Sequence, residues 1–125
     1  MIVAPLSILG VWEEEFQKFA AFPYALAVLS GSSAKKLDTL RHMIGTALQV
    51  VVVNYESAWR LEKALTAWHP DLIIADEGHK IKTHNIAASK ASILEVSPCY
   101  FSCDINRHIL TCQKKPLRCK GLFRL

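Results

Sequence analysis

The stretch Pro70 to Thr83, "PDLIIADEGHKIKT", carries the residues best suited to chemistry. An apolar run ends in two adjacent carboxylates, Asp76 and Glu77, followed by Gly78, His79 and the basic residues Lys80 and Lys82. In open α/β sheets ligands bind outside the carboxyl ends of the strands. A pair of acids there suits metal-assisted attack on a phosphate: Asp76 holds Mg²⁺, directly or through water, and Glu77 orients the attacking water. Gly78 relieves crowding at the turn, and His79 is placed to sense a nucleotide. The same letters also fit a plain solvated turn after a buried strand, so the pair alone leaves both readings open.

The elements that must position these residues alternate between strand and helix patterns. "IVAPL" is a short apolar run closed by Pro5, and Ser7 is a candidate N-cap for a helix through Phe19. Ile8, Val11, Trp12, Glu15, Phe16 and Phe19 fall near helical spacing, with Glu13 to Glu15 towards the wet side. "YALAVLS" (24–30) reads as a strand broken by "GSS". A helix follows to about Gly45, with Leu37, Leu40, Met43 and Ile44 on one face. "LQVVVVNY" (48–55) is apolar on both faces, as a parallel strand covered by helices would be. "ESAWRLEKALTAW" (56–68) is helical until His69-Pro70, "DLIIAD" (71–76) is another buried strand, and "NIAASKASIL" turns helical again. This alternation predicts an α/β layered sheet with right-handed crossovers.

Composition divides the chain unevenly. Its 125 residues are 51% hydrophobic and 21% charged, ordinary for a soluble domain, with no apolar run long enough for a membrane span and no signal-peptide pattern at the start. An intracellular setting with reduced cysteines is expected. Residues 1–91 hold nine of the 15 Lys/Arg and nine of the 11 Asp/Glu, so the net charge of +4 resides in residues 92–125. All four cysteines, Cys99, Cys103, Cys112 and Cys119, lie there as well.

The motifs taken together resemble the first motor lobe of the Swi/Snf family of DNA-dependent ATPases, within helicase superfamily two. "DEGHKIK" is similar to the family's motif II, a DExH box followed by basic residues. "VAPLSILGVWEEEF" resembles motif Ia, and "VVVVNYES" resembles motif Ib; the three occur in family order across residues 2 to about 91. The resemblance implies that Asp76 contacts the Mg²⁺ of Mg-ATP, that Glu77 polarises the hydrolytic water and that His79 links the nucleotide site to the DNA-binding motifs. It further implies that Ser7, with the backbone around Pro5 and Leu6, touches phosphates of a DNA strand, and that Asn54 and Tyr55 sit where motif Ib makes similar contacts. Plainer readings stand beside these: Ser7 as a helix cap, Asn54 as a strand end, Tyr55 as core. Trp12, Trp59 and Trp68 read as packing residues, and His42, His69 and His84 show no ligand spacing.

An ATPase of this type needs Gly-x-x-x-x-Gly-Lys-Ser/Thr to cradle the phosphates. None of Gly10, Gly31, Gly45, Gly78 or Gly121 heads that pattern, and "SGSSAKK" (30–36) reads as an ordinary strand-to-helix loop. In the resembling family the loop precedes motif Ia. The expected fold is therefore an incomplete RecA-like, P-loop-NTPase-type three-layer α/β lobe with a parallel sheet that lacks the phosphate-loop strand. Residues 92–125 show no family match and read as a divergent basic tail, disordered or frameshifted. Its cysteine spacing, C-x3-C-x8-C-x6-C, is looser than that of structural zinc sites, and a zinc-bound tail stands as the rival. Unless "CYFSC" or "HILTC" covers it, "LIIAD" is expected to have open edges, and stability is expected to be marginal.

The whole points to residues 1–91 as part of a helicase-type ATP-binding lobe and to 92–125 as an appended tail. The chain is read as a fragment of an ATP-dependent DNA translocase that does not turn over alone. Mg-ATP would be the cofactor of the parent, with none expected to be bound tightly by this fragment, and double-stranded DNA and the missing lobes would be the parent's partners. The alternatives are a non-catalytic DNA- or protein-interaction module derived from such a lobe, and a decayed gene product.

Overall fold

The computed structural model describes residues 1–45, 47–76, 99–104 and 109–112. Its strands are β1 (Ile2–Ala4), β2 (Tyr24–Val28), β3 (Leu48–Asn54), β4 (Leu72–Asp76), β5 (Cys99–Asp104) and β6 (Ile109–Cys112). They form one sheet in the order β2-β3-β1-β4-β5-β6. Every neighbouring pair runs parallel except β5 and β6, which are antiparallel. The helices are α1 (Leu9–Phe19), α2 (Ser33–His42), α3 (Tyr55–Arg60) and α4 (Glu62–Ala67).

The strands are apolar on both faces because both faces are covered. Ile2, Ala4, Val50 and Val52 pack with Leu9, Trp12 and Phe16 of α1. The residues between them, Met1, Val3, Val51, Val53, Ile73 and Ala75, pack with Leu40 of α2, Ala58 of α3, and Leu61 and Leu65 beside and within α4. Period-two alternation thus sends each half of "VVVV" to its own helix layer. This is the α/β arrangement expected from the alternating patterns.

Local chemistry sets the ends of the elements. Pro5, with φ −57°, closes β1 and opens a 3-10 turn over Leu6–Ile8, where the Ile8 N–H donates to the Pro5 carbonyl at 3.1 Å. Ser7 lies inside that turn and is exposed; α1 starts two residues later without a side-chain cap, so the expected Ser7 cap is corrected. The Ser32 hydroxyl does cap α2, accepting from the Lys35 N–H at 3.3 Å, and Gly31 makes the entry turn with φ +82°. That helix ends at His42, which leaves Ile44 86% exposed rather than on the buried face. The helix expected over 56–68 is two short helices separated at Leu61, and β3 ends at Asn54 so that Tyr55 opens α3. His69, at φ +53°, stops α4 before Pro70.

Neither edge of "LIIAD" is open. β4 pairs with β1 on one side and on the other with β5, in register from Leu72–Cys99 to Asp76–Cys103. β6 then covers β5. Two stretches of the 92–125 segment are therefore strands, and the covering role left open for "CYFSC" and "HILTC" is the one they take. The physical reason is the row of backbone donors and acceptors that an exposed apolar strand offers to any extended segment nearby. The helix expected in "NIAASKASIL" lies outside the described residues.

The core gives a direct prediction. Ile73 is fully buried against α3 and α4 packing residues, and Ile73→Ala is expected to cost about 2–5 kcal/mol in urea unfolding. A second concerns the Met1 amine, which donates to the Leu72 carbonyl at 2.6 Å. Burial lowers its pKa from 8.0 to about 6, against a smaller opposing pull from Asp71. The unfolded chain binds this proton more readily, so stability is complete above pH 8 and declines as pH falls towards 6, by about 2–3 kcal/mol in total. Urea midpoints at pH 6 and 8 should show this slope in the 125-residue chain, and Nα-acetylation should remove it.

Candidate functional site

The parallel register lines up the carboxyl ends of three strands. Ala4 pairs with Asn54, and one step beyond the Val3–Ala75 pair on the other side comes Asp76. Asp76 is fully buried. Its carboxylate lies on the α1 side, where the Trp12 indole Nε1–H donates to Oδ2 at 3.1 Å. From the opposite layer the Tyr55 hydroxyl donates to the main-chain carbonyl of Asp76. A buried carboxylate is costly unless hydrogen-bonded within the protein, and a charge-assisted N–H bond is among the stronger compensations. Asp76 is thus gripped from both faces of the sheet: its backbone through α3 and its side chain through α1.

The other expected site residues divide. Glu77 and His79 lie outside the described residues, as do Gly78, Lys80 and Lys82. Asn54 ends β3 and occupies the N-cap position of α3 without capping it. Its Oδ1 is buried and, among the described residues, has no hydrogen-bond partner. Asn54 and Leu6 line one groove of about 400 Å³, together with the 30–33 loop, Lys36, Glu56, Ser57 and Arg60. Ser7 sits in the turn next to Leu6 but does not line the groove.

Several residues of this region were not singled out from sequence. Lys36 reaches over from α2 and donates to the buried Ser57 hydroxyl at 2.6 Å, which fixes a cation on the groove wall. Arg60 adds a second cation, tethered to Glu56 at 2.6 Å on the exposed side of α3. The loop at 30–33, read as an ordinary connection, forms one wall. Trp12, read as packing alone, also binds Asp76. The signal for Trp12 was available, since a buried indole N–H needs an acceptor. Lys36 and Ser57 had no such signal, because only tertiary folding brings α2 and α3 together.

Of the tail cysteines, Cys99, Cys103 and Cys112 fall in β5 and β6, and Cys119 lies outside the described residues. Among the described residues no helix is long and apolar enough to cross a membrane.

Comparison with known proteins fits this geometry. The family model for the SNF2-related domain matches residues 1–98. The chain is 32% identical over 91 residues to the probable ATP-dependent DNA helicase CHR23 of Arabidopsis thaliana, covering 72% of this chain and 8% of that protein. It is 31% identical over 90 residues to the ATP-dependent DNA helicase DDM1 of the same plant, covering 67% of this chain and 12% of that protein. It is 33% identical over 91 residues to the ISWI chromatin-remodeling complex ATPase ISW2 of Saccharomyces cerevisiae, covering 72% and 8%. The chain thus spans about a tenth of the length of these relatives. With its parallel sheet, flanking helices and this match, the chain belongs to the SNF2-related domain family, as part of its RecA-like lobe.

Proposed function

We propose that the chain is a fragment of the first motor lobe of a Swi/Snf-type DNA-dependent ATPase, whose whole would couple ATP hydrolysis to movement along duplex DNA. The observation that carries this reading is the shared carboxyl edge, where Asp76, Asn54 and the Leu6–Ile8 turn all emerge. The proposed division takes residues 1–91 as the lobe part and 92–125 as an appended segment, although the family match runs on to residue 98 and β5 and β6 join the lobe's sheet. The partners are duplex DNA and the remaining lobes, in a nuclear or other intracellular setting.

The donor set fits a magnesium ion. Mg²⁺ prefers oxygen ligands, and Asp76 offers a carboxylate at a strand end with Glu77 next in the chain. Bound Mg-ATP would supply an activated γ-phosphate there. Asp76 would hold the ion, Glu77 would orient the attacking water and accept its proton, and His79 would connect this site to the DNA-facing segments. Ser7 and Asn54 would touch backbone phosphates. Nothing in the 125 residues forms the Gly-x-x-x-x-Gly-Lys cradle, and Gly31, at the head of the β2–α2 loop, has no second glycine to complete one. The chain by itself is therefore proposed to hydrolyse no ATP at a useful rate.

The second reading, a non-catalytic DNA-binding module, is favoured by the groove beside Asn54. Lys36, held by the Ser57 hydroxyl, gives it one fixed cation that needs no nucleotide, and Arg60 lines it as an ion pair with Glu56. Such contacts would be electrostatic and independent of sequence.

One set of measurements addresses both readings. Duplex binding by the 125-residue chain should weaken steeply from about 50 to about 200 mM salt. Lys36→Ala with Arg60→Ala should lower affinity several-fold at fixed salt, whereas loss on deleting 92–125 alone would assign binding to the tail. ATP turnover should stay far below the ordinary range of about 1–10³ s⁻¹. Turnover within that range, abolished by Glu77→Gln, would overturn the proposed inactivity.

A further inference from the structure

The groove beside Asn54 holds its two cations by different means. Lys36 Nζ donates to the buried Ser57 hydroxyl at 2.6 Å, so a neutral group fixes the ammonium. Among the described residues no carboxylate pairs with it. Arg60 is held by an anion instead, with Nη2 2.6 Å from Oε1 of Glu56, four residues earlier in α3. Glu56 lines the same groove. The wall therefore carries two cations and presents one uncompensated charge, because the second cation is already bonded to an acid of the chain itself.

A carboxylate and a backbone phosphate offer a guanidinium the same partner, anionic oxygens that accept its N–H groups. The Arg60 and Glu56 side chains are 67% and 63% exposed, so an anion from outside reaches both. An exposed ion pair holds its partners by a factor of about 5 at most, which a phosphate can overcome at that cost. We propose that Glu56 is a specificity-determining residue of this groove, an internal competitor that occupies Arg60 until a backbone phosphate replaces it. The proposal rests on the reading of the groove as a nucleic-acid contact. Lys36 supplies the standing contact, and Arg60 supplies a second one only in exchange for Glu56. A strand already held at Lys36 brings its neighbouring phosphates to Arg60 at high effective concentration, an advantage that a single free anion lacks. Glu56 thus biases the groove towards a chain of phosphates.

The test measures binding of the full chain to a fluorescein-labelled duplex by anisotropy between about 50 and 200 mM salt. Glu56→Gln keeps the shape of the side chain and removes its charge. It should tighten binding about 3–5-fold at the low end of that range. It should also steepen the log–log salt slope by about 0.9, the share of one further phosphate contact. In the Arg60→Gln background the same substitution should change affinity less than about 2-fold, because there is no guanidinium to release. Glu62→Gln, at the start of α4 and outside the groove, is the control for net charge and should also stay below about 2-fold. Urea midpoints of the variants should lie near that of the unsubstituted chain. No gain from Glu56→Gln, or an equal gain in the Arg60→Gln background or from Glu62→Gln, overturns the competitor role. The groove reading survives that result as long as Lys36→Ala still weakens binding. Binding indifferent to Lys36→Ala, or no duplex binding at all, overturns the groove reading and the proposal with it.

Discussion

A carboxylate with no solvent exposure stands at the end of a hydrophobic strand, and much of the molecule can be understood as what makes that tolerable. Removing an ion of this size from water costs several kcal/mol even after the protein relaxes. A hydrogen bond to a charged group returns about 1.5–3 kcal/mol. Asp76 receives such a bond from Trp12, which requires α1 to lie on that face of the sheet with one particular rotation about its axis. That rotation is the one that buries Leu9 and turns Trp12 and Phe16 inward while Glu13 and Glu14 stay exposed. The polar requirement of one residue and the apolar packing of the helix agree, so neither is satisfied at the expense of the other.

The sheet imposes a second constraint. β1 has three residues, yet it lies between β3 and β4 and is bonded to both. So short a strand stays central because all its residues are buried and because Pro5 ends it abruptly. The abrupt end puts the Leu6–Ile8 turn at the carboxyl edge. Two helix layers cover the middle of this sheet, whereas β5 and β6 continue it past β4 and pair the backbone groups that β4 would otherwise leave free.

The readable part of this architecture was the part governed by short-range pattern. "VVVV" and "LIIA" suited strands covered on both faces, and the punctuation at Pro5, Gly31 and His69-Pro70 marked where elements stop. Boundaries failed where two local options had similar energy. Ser7 can cap a helix, but Pro5 begins a 3-10 turn first, and the hydroxyl is left exposed. Leu61 interrupts a helix whose periodicity runs through it without a break. In the site, Asp76 was legible as the acid that ends a buried strand. Trp12 was hidden by its double nature, since the same ring that fills the α1 interface also carries the donor. Lys36 and Ser57 meet only after α2 and α3 are docked, a contact that no spacing in the chain encodes.

Asn54 and Asp76 occupy one row of the sheet with Ala4 between them, so the usual interstrand spacing sets them about 10 Å apart. That separation is held by backbone ladders and two buried side-chain layers, which makes it rigid by construction. Tyr55 then adds a direct connection: it follows Asn54 in the chain, and its hydroxyl binds the carbonyl of Asp76. Trp12 makes the matching connection from the turn after β1. Both segments that emerge beside the groove edge are therefore joined to the same acidic residue by a single aromatic side chain each. Each of these hydrogen bonds runs alongside the core packing of the same ring, Tyr55 in the α2–α4 layer and Trp12 in the α1 layer. The two bonds act on different atoms, one on the backbone and one on the carboxylate. The acid is thus held at both its backbone and its side chain, from opposite faces of the sheet.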